Sequence, residues 1–197
     1  MTDLPPRVPN TSTRARNEPP PSLTSPRTIA LVGLMGVGKT TVGRRLATAL
    51  SLPFKDADEE IEKAAGQSVS DIFSSLGETA FRDGEHRVIA RLLSDPPHIL
   101  ATGGGALTHA ETRRVLKDKA ITVWLKADLP VLAKRVSIRN TRPLLRGRDP
   151  LEVLTQQAQS RYPLYAMADL TVETGDNSHA KAVAALLKAL RPYLIRT

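Results

Sequence analysis

The run Gly33-Leu34-Met35-Gly36-Val37-Gly38-Lys39-Thr40 constrains this chain more than any other stretch, because it satisfies G-x-x-x-x-G-K-[ST] at every fixed position. Apolar and β-branched residues over Thr28–Val32 come before it, and residues 41–50 after it have the apolar spacing of a helix. Strand, glycine-rich turn and helix together make a phosphate-binding loop. Gly36, Val37 and Gly38 let the backbone N–H groups curl around a polyphosphate, and the helix that Thr41 continues adds the positive end of its dipole. Lys39 then brings a full charge to the transferred phosphoryl group, and the Thr40 hydroxyl is placed to ligate Mg2+. The loop therefore predicts binding of a nucleoside triphosphate.

The rest of the chain alternates strands and helices. Residues 52–55 form a short strand that ends in Asp56-Ala57-Asp58, on the side where open α/β sheets bind ligands. The same two acids also suit a helix N-cap and a first-turn acid, and position alone does not choose between ligand and cap. A short helix over 70–76 breaks at Gly77, and a longer one over 78–93 carries Arg82 and Glu85, three apart on one face. Gly84 inside that helix weakens it. The strand over 98–102 runs into Gly103-Gly104-Gly105, suited to close approach of a ligand to backbone. It lacks a terminal aspartate for the metal, which leaves Asp56 as the nearest candidate. Helix 110–117, strand 120–125 and helix 129–137 follow. The arginine-dense stretch 139–148, with its proline and glycine, predicts a mobile lid over about 139–150. Asp149-Pro150 starts a helix, 169–173 is a last strand and 180–190 a closing helix. Five strands with intervening helices imply a three-layer α/β fold, a parallel sheet covered on both faces.

Composition narrows the function classes. Residues 1–27 are rich in proline with little to bury and read as a disordered tail ahead of one domain over 28–197. The prolines also disfavour an amphipathic targeting helix there. The net charge of +8 comes from dispersed arginines with only 4% aromatics, which argues for an anionic small substrate rather than nucleic acid. No apolar run is long enough for a bilayer, so no membrane partner is expected. The absence of cysteine fits a reducing cytosol and a cytoplasmic location. His86, His98, His109 and His179 show no metal-ligand spacing. With no Asn-Lys-x-Asp and no aspartate followed three positions on by glycine, a GTPase-type switch has no support.

The phosphate loop, Asp56-Ala57-Asp58, Phe81-Arg82 with Glu85, Gly103-Gly104-Gly105, Arg142-Pro143-Leu144-Leu145 and Arg161 before Pro163-Leu164-Tyr165 together resemble the shikimate kinase family, in order and spacing from about residue 28 onward. The resemblance implies the P-loop kinase fold related to nucleoside monophosphate kinases. It implies transfer of the ATP γ-phosphoryl group to the 3-hydroxyl of shikimate, in the route to chorismate and aromatic amino acids, by a monomer. On the same warrant Arg82 and Arg161 hold the substrate carboxylate, and Gly104 and Asp58 contact its ring hydroxyls. Asp58 becomes the candidate base, and Asp56 and Thr40 serve Mg2+. Arg142 reaches the transferring phosphate beside Lys39, Arg135 packs near adenine, and Glu85 orients Arg82. Related kinases of small metabolites such as gluconate, or a non-catalytic nucleotide-binding module, are the other readings of such a fold.

Overall fold

The structure, a computed structural model, describes residues 23–138, 148–175 and 178–196. It begins inside the segment that reads as a tail: Leu23–Thr24 (β1) pair antiparallel with Ile195–Arg196 (β7). Two residues per strand carry no periodicity, which is why composition assigned residues 23–27 to the tail. Residues 1–22 lie outside the described part.

Thr28–Val32 (β2) is buried at all five positions and forms the centre of a parallel sheet. Phe54–Asp56 (β3), Ile99–Ala101 (β4), Ala120–Lys126 (β5) and Leu170–Glu173 (β6) complete it in the order β3-β4-β2-β5-β6. A parallel sheet is buried on both faces, so its strands read as continuous apolar runs rather than alternating ones. Ile99-Leu100-Ala101 and the first six residues of β5 show this. Strand order reverses at β2, which has β4 on one side and β5 on the other. The crevice at that reversal, beyond the carboxyl ends of the strands, is where such sheets hold ligands. The carboxyl ends of β2, β3 and β4 lead into the phosphate loop, the Asp56-Ala57-Asp58 junction with the next helix, and Gly103 to Gly105.

The helices are Lys39–Ala49 (α1), Ala57–Ala65 (α2), Val69–Leu92 (α3), Ala110–Lys119 (α4), Leu129–Ile138 (α5), Pro150–Tyr165 (α6) and His179–Leu190 (α7). Their starts follow local chemistry. Asp56, Ser68, Asp149 and Ser178 each cap with a side-chain oxygen, and Pro150 sits at the first position of α6. The two helices expected on either side of Gly77, numbered together as α3, do meet at a break there, where Gly77 has the non-helical φ 79° and ψ 173°. That backbone geometry needs a residue without Cβ.

Beside the main core, Ile61, Ile72 and Phe81 form a second small cluster, packed by Val69, Phe73 and Val88. It fixes the middle of α3, where Arg82 lies. Gly84, two residues on, has open space where a Cβ would project. Gly84→Ala is therefore expected to stabilise the fold by about 0.5–1 kcal/mol, because alanine loses less entropy in a helix. Thermal unfolding checks this as a rise in Tm of roughly 1–4 °C.

Candidate active site

The phosphate loop lies between β2 and α1. Gly36 and Gly38 hold left-handed backbone, φ 80° and 96°, which turns the N–H groups into the loop. Lys39 Nζ donates to the carbonyls of Gly33 and Leu34, at 2.7 and 3.0 Å, and so lies across the loop's mouth. Thr40 Oγ1 donates to Asp56 Oδ2 at 2.7 Å, and the other oxygen of that carboxylate accepts from Asp58 N at 3.1 Å. The cap and ligand readings of Asp56 thus hold together: one oxygen caps α2 and the other faces Thr40. A hydroxyl and a carboxylate side by side fit Mg2+, which binds oxygen donors and completes its shell with water and phosphate oxygens. No cluster of three or more His, Cys, Asp or Glu occurs among the described residues, and such an ion does not need one.

The Gly103–Gly105 turn is where the other groups meet. A Cβ on Gly103 would stand 2.5 Å from Glu85 Oε1 and 3.1 Å from Asp58 Oδ1. One on Gly104 would stand 3.7 Å from Arg161 NH1, and one on Gly105 would overlap the Arg82 guanidinium. Lack of side chains on this turn is what lets α2, α3 and α6 bring their charges to one place. Gly104 contributes its carbonyl as well, which accepts from Arg161 NH1 at 3.2 Å and from the Tyr165 hydroxyl. Burial pushes the Tyr165 phenol up to about 12, so it stays protonated and donates.

Arg82 NH1 donates to Glu85 Oε2 at 2.5 Å, and its NH2 reaches Glu78 at 3.4 Å. Its guanidinium also lies 5.0 Å from the centre of the Phe81 ring and 5.7 Å from that of Phe73, a cation–π seat. Glu85 is fully buried, and its Oε1 has no hydrogen-bond partner. Burial raises its carboxyl above the usual value, Arg82 opposes the rise, and the Asp58 charge adds to it. A carboxyl raised in the folded state contributes stability that is fully present below its unfolded value and lost as pH rises through the folded value. Glu85→Gln removes that loss, so its Tm relative to the unmodified chain is expected to rise from about pH 5 to pH 8. Parallel melting curves over that range give the slope, and a difference that falls with pH would reverse the sign assigned to Glu85.

His86 and His109, far apart in sequence, stack with ring centres 5.0 Å apart beyond Glu85 on α3. Thr112 Oγ1 lies 3.3 Å from Nδ1 of each, and His109 Nε2 is 3.3 Å from Asp83. His109 is the N-cap of α4, its side chain accepting from Thr112 N at 3.4 Å. On the opposite flank, Arg135 NH2 donates to Gly175 O at 2.5 Å, and a Cβ on Gly36 would contact Val136 and Arg135. This brings Arg135 beside the phosphate loop. Thr41 follows Thr40 in α1. Arg142 and most of the expected lid, 139–147, lie outside the described residues, as do Asp176 and Asn177. Gln157 matches no motif, and Tyr165 belongs to the Pro163-Leu164-Tyr165 run without a role of its own there; their spacing of four on either side of Arg161 is the signal that points to them.

A phosphate loop at a sheet's strand reversal, an acid pair behind it and two arginines converging on a glycine turn define a P-loop phosphotransferase with a site for a small anionic acceptor. The family description shikimate kinase matches residues 35–191. The chain is 64% identical over 165 residues to a shikimate kinase of Caulobacter vibrioides strain NA1000, covering 84% of this chain and 82% of that one. Over 170 residues it is 51% identical to a shikimate kinase of Zymomonas mobilis, covering 86% and 97% respectively. It is also similar to a solved shikimate kinase from Acinetobacter baumannii in complex with shikimate: TM-score 0.79, 39% identity, 82% of this chain and 91% of that one. The chain belongs to the shikimate kinase family.

Proposed function

We propose that this chain transfers the γ-phosphoryl group of ATP to the 3-hydroxyl of shikimate, giving shikimate 3-phosphate. The observation that carries the reading is the convergence of the phosphate loop, Asp58, Arg82 and Arg161 on the Gly103–Gly105 turn. ATP lies in the loop of Gly36, Val37, Gly38, Lys39, Thr40 and Thr41, with Arg135 on the adenine side. Lys39 leaves its carbonyl partners for the phosphates. Thr40 and Asp56 hold Mg2+, which when bound neutralises phosphate charge.

Shikimate is a small carboxylic acid with ring hydroxyls. Arg82 and Arg161 clasp its carboxylate by charge-assisted hydrogen bonds. Gly104 and Asp58 meet the hydroxyls, and Asp58 accepts the proton of the attacking oxygen or aligns it in a loose transition state. Arg142 completes the set on the strength of the family resemblance alone. The chain acts as a monomer in the cytoplasm without nucleic-acid or membrane partners, a reading that rests on the resemblance and on composition. No helix among the described residues is long and apolar enough to cross a membrane.

Offering shikimate, gluconate and AMP separately with Mg2+ and ATP in a coupled assay tests the proposal. Turnover with shikimate alone, and 31P NMR of the ester at the 3-position, is the expected result. Faster turnover of gluconate or AMP would replace the acceptor, and tight ATP binding without transfer to any of them would make the chain a binding module.

A further inference from the structure

The two arginines that face the glycine turn are held by opposite means. Arg82 is held by carboxylates, Glu85 at 2.5 Å and Glu78 at 3.4 Å. Arg161 is held by neutral oxygens, the Gly104 carbonyl at 3.2 Å and Gln157 Oε1 at 3.1 Å. Among the described residues no carboxylate forms an ion pair with Arg161.

This difference has an electrostatic meaning. Arg82 with ionised Glu85 is a pair of no net charge, able to offer directional donors but little long-range attraction. Arg161 keeps its full charge. Its bonds to Gly104 and Gln157 both leave through Nη1, and the Tyr165 side chain adds a third, so neutral partners fix the plane of the guanidinium and leave its charge to an incoming carboxylate. Gln157 lies one turn earlier on α6, half-buried, and its amide oxygen reaches the same nitrogen as the loop carbonyl. We infer that Gln157 is a positioning residue for the substrate carboxylate: a neutral acceptor that fixes Arg161 without cancelling its charge. The inference rests on the reading of Arg161 as a carboxylate ligand and extends it to a residue with no signature of its own.

A charged acceptor at this position would make a stronger bond to Arg161 and a weaker site, since Arg161 would then arrive already neutralised. A purely structural role predicts the opposite order, because glutamate matches glutamine in size and helix propensity. The test compares Gln157→Met and Gln157→Glu with the unmodified chain, varying shikimate and ATP separately. Turnover of shikimate by the unmodified chain is measured first, so failure of the functional reading shows before any variant is compared. Gln157→Met, which keeps the length and loses the acceptor, is expected to raise KM for shikimate about three- to tenfold, with kcat and KM for ATP within about twofold. Gln157→Glu is expected to raise it further, about ten- to a hundredfold. The order of the two variants is the decisive readout. Affinity in Gln157→Glu equal to or better than that of the unmodified chain overturns the inference, as does an unchanged KM in Gln157→Met. Should Gln157→Met fail to fold in a melting control, the glutamate variant decides by itself.

Discussion

Asp58→Asn is expected to lower kcat about 10²- to 10⁴-fold, the usual range for loss of a positioned acid or base. The carboxylate lies on the first turn of α2, its Oδ1 3.1 Å from where a Cβ on Gly103 would stand, and thus beside the same turn as Arg82 and Arg161. Asparagine keeps the shape and the capping geometry of Asp56, whose acceptance from the backbone N–H of residue 58 does not depend on the side chain there. KM for ATP is therefore expected to stay within about twofold, because the phosphate loop and Thr40 are untouched. A second effect reaches Arg82 through Glu85. The charge of Asp58 helps hold the Glu85 carboxyl above its usual value, so its removal lets Glu85 ionise more readily and pair better with Arg82. The variant should lose some affinity for shikimate, through the ring hydroxyl that Asp58 meets, and far more of its rate of transfer. Steady-state and single-turnover rates measure both halves, and an unchanged kcat would take Asp58 out of the chemistry.

The parts of this protein legible in its sequence are those set by local rules. The phosphate loop, β2, the caps at Asp56 and Asp149, and the break at Gly77 each follow from a few adjacent residues whose backbone demands leave little choice. The five parallel strands followed from alternation alone. What escaped are the contacts made across the chain. The β1 and β7 ribbon joins residues 173 and 171 positions apart, Leu23 with Arg196 and Thr24 with Ile195, and two-residue strands leave no pattern to read. The strand boundary at Leu170 shifted for a similar reason. Asp169, read as strand, instead uses its carboxylate to accept from Thr122 N and Oγ1, both at 2.7 Å.

Within the site, residue types were legible and their partners were not. Arg82 and Glu85 at a spacing of three would ordinarily be a solvated surface pair of small worth. Only the fold makes Glu85 fully buried and turns the pair into a device that presents Arg82 to the glycine turn. In the same way three glycines in sequence suggest room for a ligand, whereas in space much of that room is taken by the protein's own charged side chains.

The strongest consequence of that crowding falls on Gly105. Its backbone, φ −106° and ψ 0°, suits alanine, so any effect of Gly105→Ala comes from the added methyl and not from the chain's conformation. That methyl would overlap the Arg82 guanidinium, 2.5 Å from Cζ and 3.0 Å from NH1. Arg82 has nowhere easy to go. Moving it outward strands the buried Glu85 carboxylate, and breaking a buried pair costs about 3–5 kcal/mol. Moving the loop instead pulls the Gly104 carbonyl from Arg161 and Tyr165. Either response spoils carboxylate recognition, so kcat/KM for shikimate is expected to fall about 10²-fold or more while KM for ATP changes less than about threefold. Gly84→Ala adds the same methyl into open space on the same helix as Arg82 and is the matched control. A double-mutant cycle separates the two responses. In an Arg82→Ala background the methyl has nothing to strike, so Gly105→Ala should there cost little more, and the two losses should be far from additive. Additive losses would locate the damage in the turn itself and leave Arg82 without the confinement assigned to it.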